Sequence, residues 1–231
     1  KPVNTSVIQK RVNRLIASNK AERYMKQLAY HDSLTGLPNR TNLMQHLQLM
    51  INQSNIENTV FAVLFLDLDH FKMVNDTMGH DVGDLLLKAV AYRLRGFLRG
   101  QDFIARLGGD EFTIILQDVK GRKAIEKIVQ QICESFKKPF VFLRRKILVT
   151  TSIGISVFPS DGKEISDLLK HADTSMFKAK KQRDKFCFYT PSMAFDISSR
   201  LQLQKDLNKA LDCNDLILHF CKTLPKDTKG N

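Results

Sequence analysis

No stretch of this chain is apolar for long. The longest uninterrupted run, Val60 to Leu66, has seven residues, far short of the roughly 20 that cross a bilayer as a helix. The N-terminus lacks the charged-then-apolar pattern of a secretory signal. These absences lead us to expect a soluble piece, and because it begins at Lys1 rather than Met, a part excised from a longer parent whose anchoring stays open. Cysteine is sparse: Cys133, Cys187, Cys213 and Cys221 are scattered without CxxC spacing or companion histidines. That suggests neither a zinc site nor a disulfide framework and fits a reducing cytosol. No internal repeat or low-complexity tract occurs. Acidic residues are the minority, 24 against 36 Lys and Arg, for a formal charge of +12. Such a balance favours polyanionic partners without choosing among nucleotides, nucleic acid and acidic membrane surfaces.

What is present is ordinary core-forming material, 43% apolar in 231 residues, enough for one main domain with flanking segments. Residues 7–30 carry apolar positions at three-to-four spacing (Ile8, Val12, Leu15, Ile16, Met25, Leu28) and read as a helix, either a stalk that pairs with its copy or a plain packed helix. A second helix is expected from about Thr41 to Gln53. The apolar run that follows reads as a strand buried on both faces, ending in Asp67-Leu68-Asp69. A polar loop containing Gly79 and Gly83 comes next, then an amphipathic helix over 84–98. Two strands joined at Gly108-Gly109 form a hairpin, paired glycines permitting the positive φ of primed turns. Helices are expected at 121–137 and 165–181, with one long strand over 145–157. Hairpins mixed with crossovers indicate an α+β fold.

Chemistry concentrates around two acidic points. Alternation along a strand sends Asp67 and Asp69 to one face. An isolated DxD is more often a turn cap with a solvated neighbour, but the Gly-Gly hairpin sets Asp110 and Glu111 where they can face that strand end. Brought together, these carboxylates make an oxygen-rich site suited to Mg²⁺ or Mn²⁺, ions usually shared with substrate phosphates. Phosphoryl transfer is the chemistry such a site serves.

The strings LTGLPNR, DLDHFKMVND, GHDVGD, RLGGDEF and TTSIGISVFPSDG, in this order, resemble the GGDEF family of diguanylate cyclases over about 160 residues. The resemblance implies a palm-like antiparallel sheet flanked by helices and the condensation of two GTP into cyclic di-GMP across a homodimer. It implies that Asp67, the main-chain carbonyl of Leu68 and Glu111 hold the metal ions, with Asp110 either ligating or helping to deprotonate the attacking hydroxyl. By the same resemblance Asn75 and Asp84 read guanine, although Asp84 also stands where the expected helix would need an N-cap. Lys72, the amides of His70 and Phe71, and Lys180 match the family's phosphate contacts. The family's AKxxGRN is here AKKQRDK, one residue shorter, so Arg183 takes the place of a displaced phosphate ligand. Arg99 and Asp102 match the RxxD of the family's inhibitory product site; the alternative is an exposed ion pair.

The tail, RLQLQKDLNKALDCNDLILHF, resembles the opening of an EAL phosphodiesterase domain but stops before any EAL catalytic motif, and Phe220-Cys221-Lys222 departs from the usual continuation. The expected division is therefore 1–30 signalling or stalk helix, 31–190 cyclase domain, and 191–231 linker with a truncated EAL-like start. The expected partners are GTP, cyclic di-GMP as product and inhibitor, a second copy, an adjoining EAL domain and an upstream sensor, with no nucleic acid. The rival function is a silent GTP- or cyclic di-GMP-binding module that regulates the EAL domain.

Overall fold

The apolar run after residue 59 forms β1, Phe61–Leu68, and every one of its eight residues is buried. The computed structural model describes residues 16, 20, 25–142, 145–181 and 185–193; the tail segment resembling an EAL domain and Arg183 lie outside the described residues, as does most of 7–30. The chain falls into two units, Lys1–Thr190 and Pro191–Asn231. In the first, β1 is the middle of a five-stranded sheet. Around it stand α1 (Arg40–Glu57), α2 (Phe71–Met78), α3 (His80–Arg95), β2 (Phe103–Gly108), β3 (Glu111–Leu116), α4 (Arg122–Phe136), β4 (Phe140–Phe142), β5 (Arg145–Ile147), β6 (Thr151–Phe158), α5 (Ile165–Lys180) and β7 (Phe186–Phe188).

The sheet order is β2-β3-β1-β6-β7. β1 runs antiparallel to β3 and β6, while β6 and β7 are parallel, so the sheet is mixed. Together with the flanking helices this is the expected α+β architecture. Strand alternation sorts β1 between two cores. Phe61, Val63 and Phe65 join Leu43, Leu47, Leu168 and Ala172 of α1 and α5, and Ala62, Leu64, Leu66 and Leu68 join residues of α2, α3 and α4. Each buried Val, Leu or Phe among these contributes about 1.5–3 kcal/mol relative to exposure. Asp67, next in the odd series, emerges on the α1 and α5 side.

Helix α5 lies unusually close to the sheet. A Cβ built on Gly154 of β6 would fall 1.9 Å from the Ala172 carbonyl oxygen and 2.1 Å from the Met176 nitrogen, so the missing side chain is what permits this approach. Ser175 fastens the contact, its hydroxyl accepting from Ile155 N at 3.0 Å and donating to the His171 carbonyl at 2.9 Å.

Four expectations are corrected. The polar loop after β1 is helix α2, whose Phe71 and Val74 are buried; three-residue apolar spacing in a short polar segment outweighed its loop-like composition. Helix α3 starts at His80, with Gly79 (φ 89°) as N-cap, so Asp84 is inside the helix and caps nothing. The long strand over 145–157 is two strands, β5 pairing with β4 and β6 with β1, because the chain changes partner at Thr150, whose carbonyl takes the Asp69 amide at 2.9 Å. The hairpin loop is Gly109-Asp110 rather than Gly108-Gly109, since Gly108 pairs with Glu111; Gly109 alone of the two loop residues has positive φ, 50°.

Candidate active site

Asp67 and Glu111 are direct cross-strand partners in the register of β1 and β3. Side chains at paired positions share a face about 5 Å apart at Cβ, so two distant stretches of sequence deliver their carboxylates to one point. Asp110 stands in the turn beside them. Asp67 is 6% exposed, and Lys180, the last residue of α5, brings Nζ to 2.7 Å from its Oδ1. The ammonium thus compensates a buried carboxylate oxygen that has no other hydrogen-bond partner.

The electrostatics follow from this crowding. Burial raises the pKa of Asp67, and the charges of Asp110 and Asp69 push the same way against Lys180. Burial likewise raises Glu111, reinforced by Asp67, Asp110 and Asp173 and opposed by Arg40. For Lys180 burial pulls the pKa down, but Asp67, Asp110 and Asp69 together lift it above its ordinary value. The acidic groups thus exceed the positive charge available to them. A buried carboxylate among mutually repelling carboxylates fits a hard divalent cation. Among the described residues, however, no group of three or more acidic, His or Cys side chains is already gathered in coordinating geometry; the ammonium of Lys180 stands against Asp67 instead.

Asp69 has a different part from Asp67. It is 3% exposed, and its carboxylate accepts from Thr150 Oγ1 at 2.6 Å and Ser152 Oγ at 2.8 Å. Thr151 Oγ1 donates to the Asp67 carbonyl at 3.0 Å. Three consecutive hydroxyl residues of the TTSIG string therefore pin the turn after β1 through Asp69 and the Asp67 main chain.

A second support was not anticipated from sequence. Arg106, 8% exposed, grips Asp32 in bidentate fashion, Nη1 lying 2.9 Å and 3.0 Å from the two carboxylate oxygens. Its Nε and Nη2 donate to the Gly109 carbonyl at 3.1 Å and 2.7 Å. The guanidinium fork matches both acceptors and ties the segment before LTGLPNR to the turn that carries Asp110. Between α1 and α5 a cavity of about 490 Å³ opens beside Glu111, with Arg40, Met44, Phe65, Lys170 and Asp173 among its lining residues.

The remaining expected residues are distributed as follows. Asn75 is half-buried on α2 and Asp84 exposed on α3, two helices that pack together. His70 takes the left-handed conformation (φ 62°) at the start of α2, so the first amides of that helix, Phe71 included, form an N-terminus of the kind anions favour. Lys72 is exposed on its first turn. Arg99 and Asp102 follow α3, and their side chains do not form the ion pair weighed above. Asp102 caps the loop, accepting from Arg99 N at 2.8 Å and Gln117 N at 3.1 Å, beside a cavity of about 380 Å³ that Arg99 also lines.

Comparison with known proteins gives the family. The family model described as "Diguanylate cyclase, GGDEF domain" matches residues 29–185. The bifunctional diguanylate cyclase/cyclic di-GMP phosphodiesterase MucR of Pseudomonas aeruginosa is 43% identical over 205 residues, 87% of this chain and 29% of that protein. The cyclic di-GMP phosphodiesterase PdeR of Escherichia coli is 35% identical over 87% of this chain and 30% of its own length. The diguanylate cyclase TpbB of P. aeruginosa is 40% identical over 67% and 36% respectively. The chain thus spans about a third of the curated relatives it matches. Among solved structures, the GGDEF domain of TpbB (also YfiN) from P. aeruginosa superposes with a TM-score of 0.71 at 34% identity, covering 73% of this chain and 99% of that one. The GGDEF domain of DgcB from Caulobacter crescentus, solved with c-di-GMP, gives a TM-score of 0.64 at 25% identity over 69% and 93%. With the family model covering most of the chain and its named motif meeting Asp67 across two paired strands, the chain belongs to the GGDEF domain family.

Proposed function

We propose that residues 31–190 are a diguanylate cyclase domain that condenses two GTP into cyclic di-GMP and pyrophosphate, in a cyclic di-GMP signalling protein. The observation that carries this reading is the pairing of Asp67 with Glu111 at the open end of β1, within reach of the Lys180 ammonium. Asp67, the Leu68 carbonyl and Glu111 hold Mg²⁺ or Mn²⁺, with Asp110 as further ligand or proton acceptor. The bound ion supplies the Lewis acidity that polarises the α-phosphate and acidifies a ribose 3′-hydroxyl. Position and charge do the rest of the work. The amides of His70 and Phe71, with Lys72 and Lys180 and then Arg183, receive the triphosphate. Asn75 and Asp84 read guanine: a carboxylate accepts the hydrogens of N1 and N2, whereas adenine offers an unprotonated N1 and no N2 amine.

Each domain holds one GTP, so two copies must face one another for in-line attack, and pairing is the natural control point. Arg99 and Asp102 are assigned to product inhibition. We assign residues 1–30 to a signalling or stalk segment and 191–231 to a linker and the start of an EAL-like domain, in a parent whose cyclase part works in the cytoplasm where GTP is supplied. No helix among the described residues is long and apolar enough to cross a membrane.

The direct test is chromatographic detection of cyclic di-GMP and pyrophosphate after incubation of the purified chain with GTP and Mg²⁺ at high protein concentration, beside Glu111→Ala. Product from wild type only supports the cyclase. A second reading, a silent module that binds GTP and regulates an EAL domain, draws support from the phosphodiesterase names of relatives and from the shortened AKKQRDK segment. Tight GTP binding by calorimetry with no product at any protein concentration favours it.

A further inference from the structure

Gly83 is buried in the second turn of α3 and makes an ordinary helical bond, its N–H to the Gly79 carbonyl. Its φ is not positive, so backbone freedom is not what the position uses. In a helix interior glycine is the least favourable residue short of proline, and a glycine kept there supplies space. That space is filled by one group. A Cβ built on Gly83 would fall 1.9 Å from Asn75 Oδ1 and 3.1 Å from Asn75 Cγ, with Phe71 Cζ at 3.3 Å. The Asn75 amide points its Oδ1 end-on at the bare backbone of α3, and that oxygen is shut away from solvent without a hydrogen-bond partner. A buried acceptor left unpaired is unfavourable, and this one is held there by the shape of the crevice between α2 and α3. One residue further along α3 is Asp84.

We infer that Gly83 is a specificity-determining positioning residue: its missing side chain seats the Asn75 amide beside Asp84, so that the two side chains present one preformed edge to a guanine base. This rests on the assignment of Asn75 and Asp84 to guanine. A methyl at position 83 would drive the amide out of the crevice and dismantle that edge; it would reach the far end of the Phe71 ring at 3.3 Å but not the carboxylate cluster at Asp67 and Glu111. The effect should therefore fall on base discrimination rather than on nucleotide binding in general.

The test measures, by calorimetry in Mg²⁺, binding of a GTP analogue blocked at the α–β bridge and of its adenine counterpart, to the full chain as wild type, Gly83→Ala, Asn75→Ala and the double variant. Wild type should prefer guanine. Gly83→Ala should bind the guanine analogue about tenfold more weakly with adenine binding unchanged, and should cost nothing further in the Asn75→Ala background, where the amide it displaces is gone. That double variant also makes room for the new methyl, so it should fold even if Gly83→Ala alone does not. Undiminished guanine preference in Gly83→Ala overturns the proposal, as does an equal penalty with and without the Asn75 amide. If Asn75→Ala alone leaves guanine binding intact, the guanine assignment itself fails and the role of Gly83 falls with it, an outcome distinct from the other two.

Discussion

Lys180 Nζ and Asp67 Oδ1 stand 2.7 Å apart, with 43% of the lysine side chain and 8% of the aspartate side chain exposed. One end of α5 thereby closes the carboxylate cluster that β1 and β3 create. The ammonium is a single charge against Asp67, Asp110 and Glu111, and it sits where a divalent ion would be bound more strongly. Lys180→Met should lower the stability of the metal-free chain by about 1–2 kcal/mol, below the range for fully buried pairs because half of this pair meets solvent. Thermal melts with and without Mg²⁺ check it, and the ion should recover more stability in the variant than in wild type.

Glu111 carries the opposite sign. Burial and its acidic neighbours disfavour its charge, so Glu111→Gln should stabilise the metal-free domain slightly, by about 0.5 kcal/mol after allowance for solvent screening, while abolishing cyclic di-GMP synthesis. A melt and a product assay on the same preparation report both. A loss of stability would mean that the repulsion described here is absent.

Acid should unfasten the link between Asp32 and Arg106. Burial alone would raise the pKa of Asp32, but the bonds from Thr35 and the contact with Arg106 outweigh it and hold the value below the ordinary 3.8. A depressed carboxylate contributes stability that is fully present above the unfolded pKa and lost as pH falls through the folded one. Wild type should therefore lose this contribution only below about pH 4. Asp32→Asn should be less stable at pH 7, with the gap to wild type closing as pH falls further. Urea denaturation at several pH values measures the gap.

Gly154→Ala should be among the most damaging small substitutions. Its methyl would strike the backbone of α5 at Ala172 and Met176, forcing the helix away from the sheet at a cost of about 3 kcal/mol. Lys180 rides on that helix, so nucleotide binding should weaken even where the variant still folds. Chemical denaturation and calorimetry with GTP separate the two effects.

Much of the fold was legible because its elements have clear periods: the apolar run of β1, the strands either side of the hairpin, and the long helices α4 and α5. Helix α2 was not, since eight residues with polar composition carry too few apolar positions to outvote a loop. Asp84 looked like a cap because the helix was started four residues late, beyond Gly79 and Gly83. The carboxylates Asp67, Asp110 and Glu111 were legible through their strand ends and turn, but alternation gives only the face a side chain takes, and the register that pairs the first with the last came from the structure. Arg106 and Asp32 were invisible as a pair because 74 positions separate them, and no local pattern marks a contact made only by tertiary packing. The hydroxyls of Thr150 and Ser152 were in plain view in a quoted string, yet their acceptor, Asp69, became clear only when the β1 and β6 ends were set side by side.

Electron paramagnetic resonance of Mn²⁺ titrated into the chain with a GTP analogue blocked at the α–β bridge is the most direct measurement of whether Asp67 and Glu111 hold one ion. Wild type should bind Mn²⁺ tightly, and both Asp67→Asn and Glu111→Gln should lose that signal while remaining folded. Undiminished Mn²⁺ binding in either variant would contradict a metal centre shared between β1 and β3.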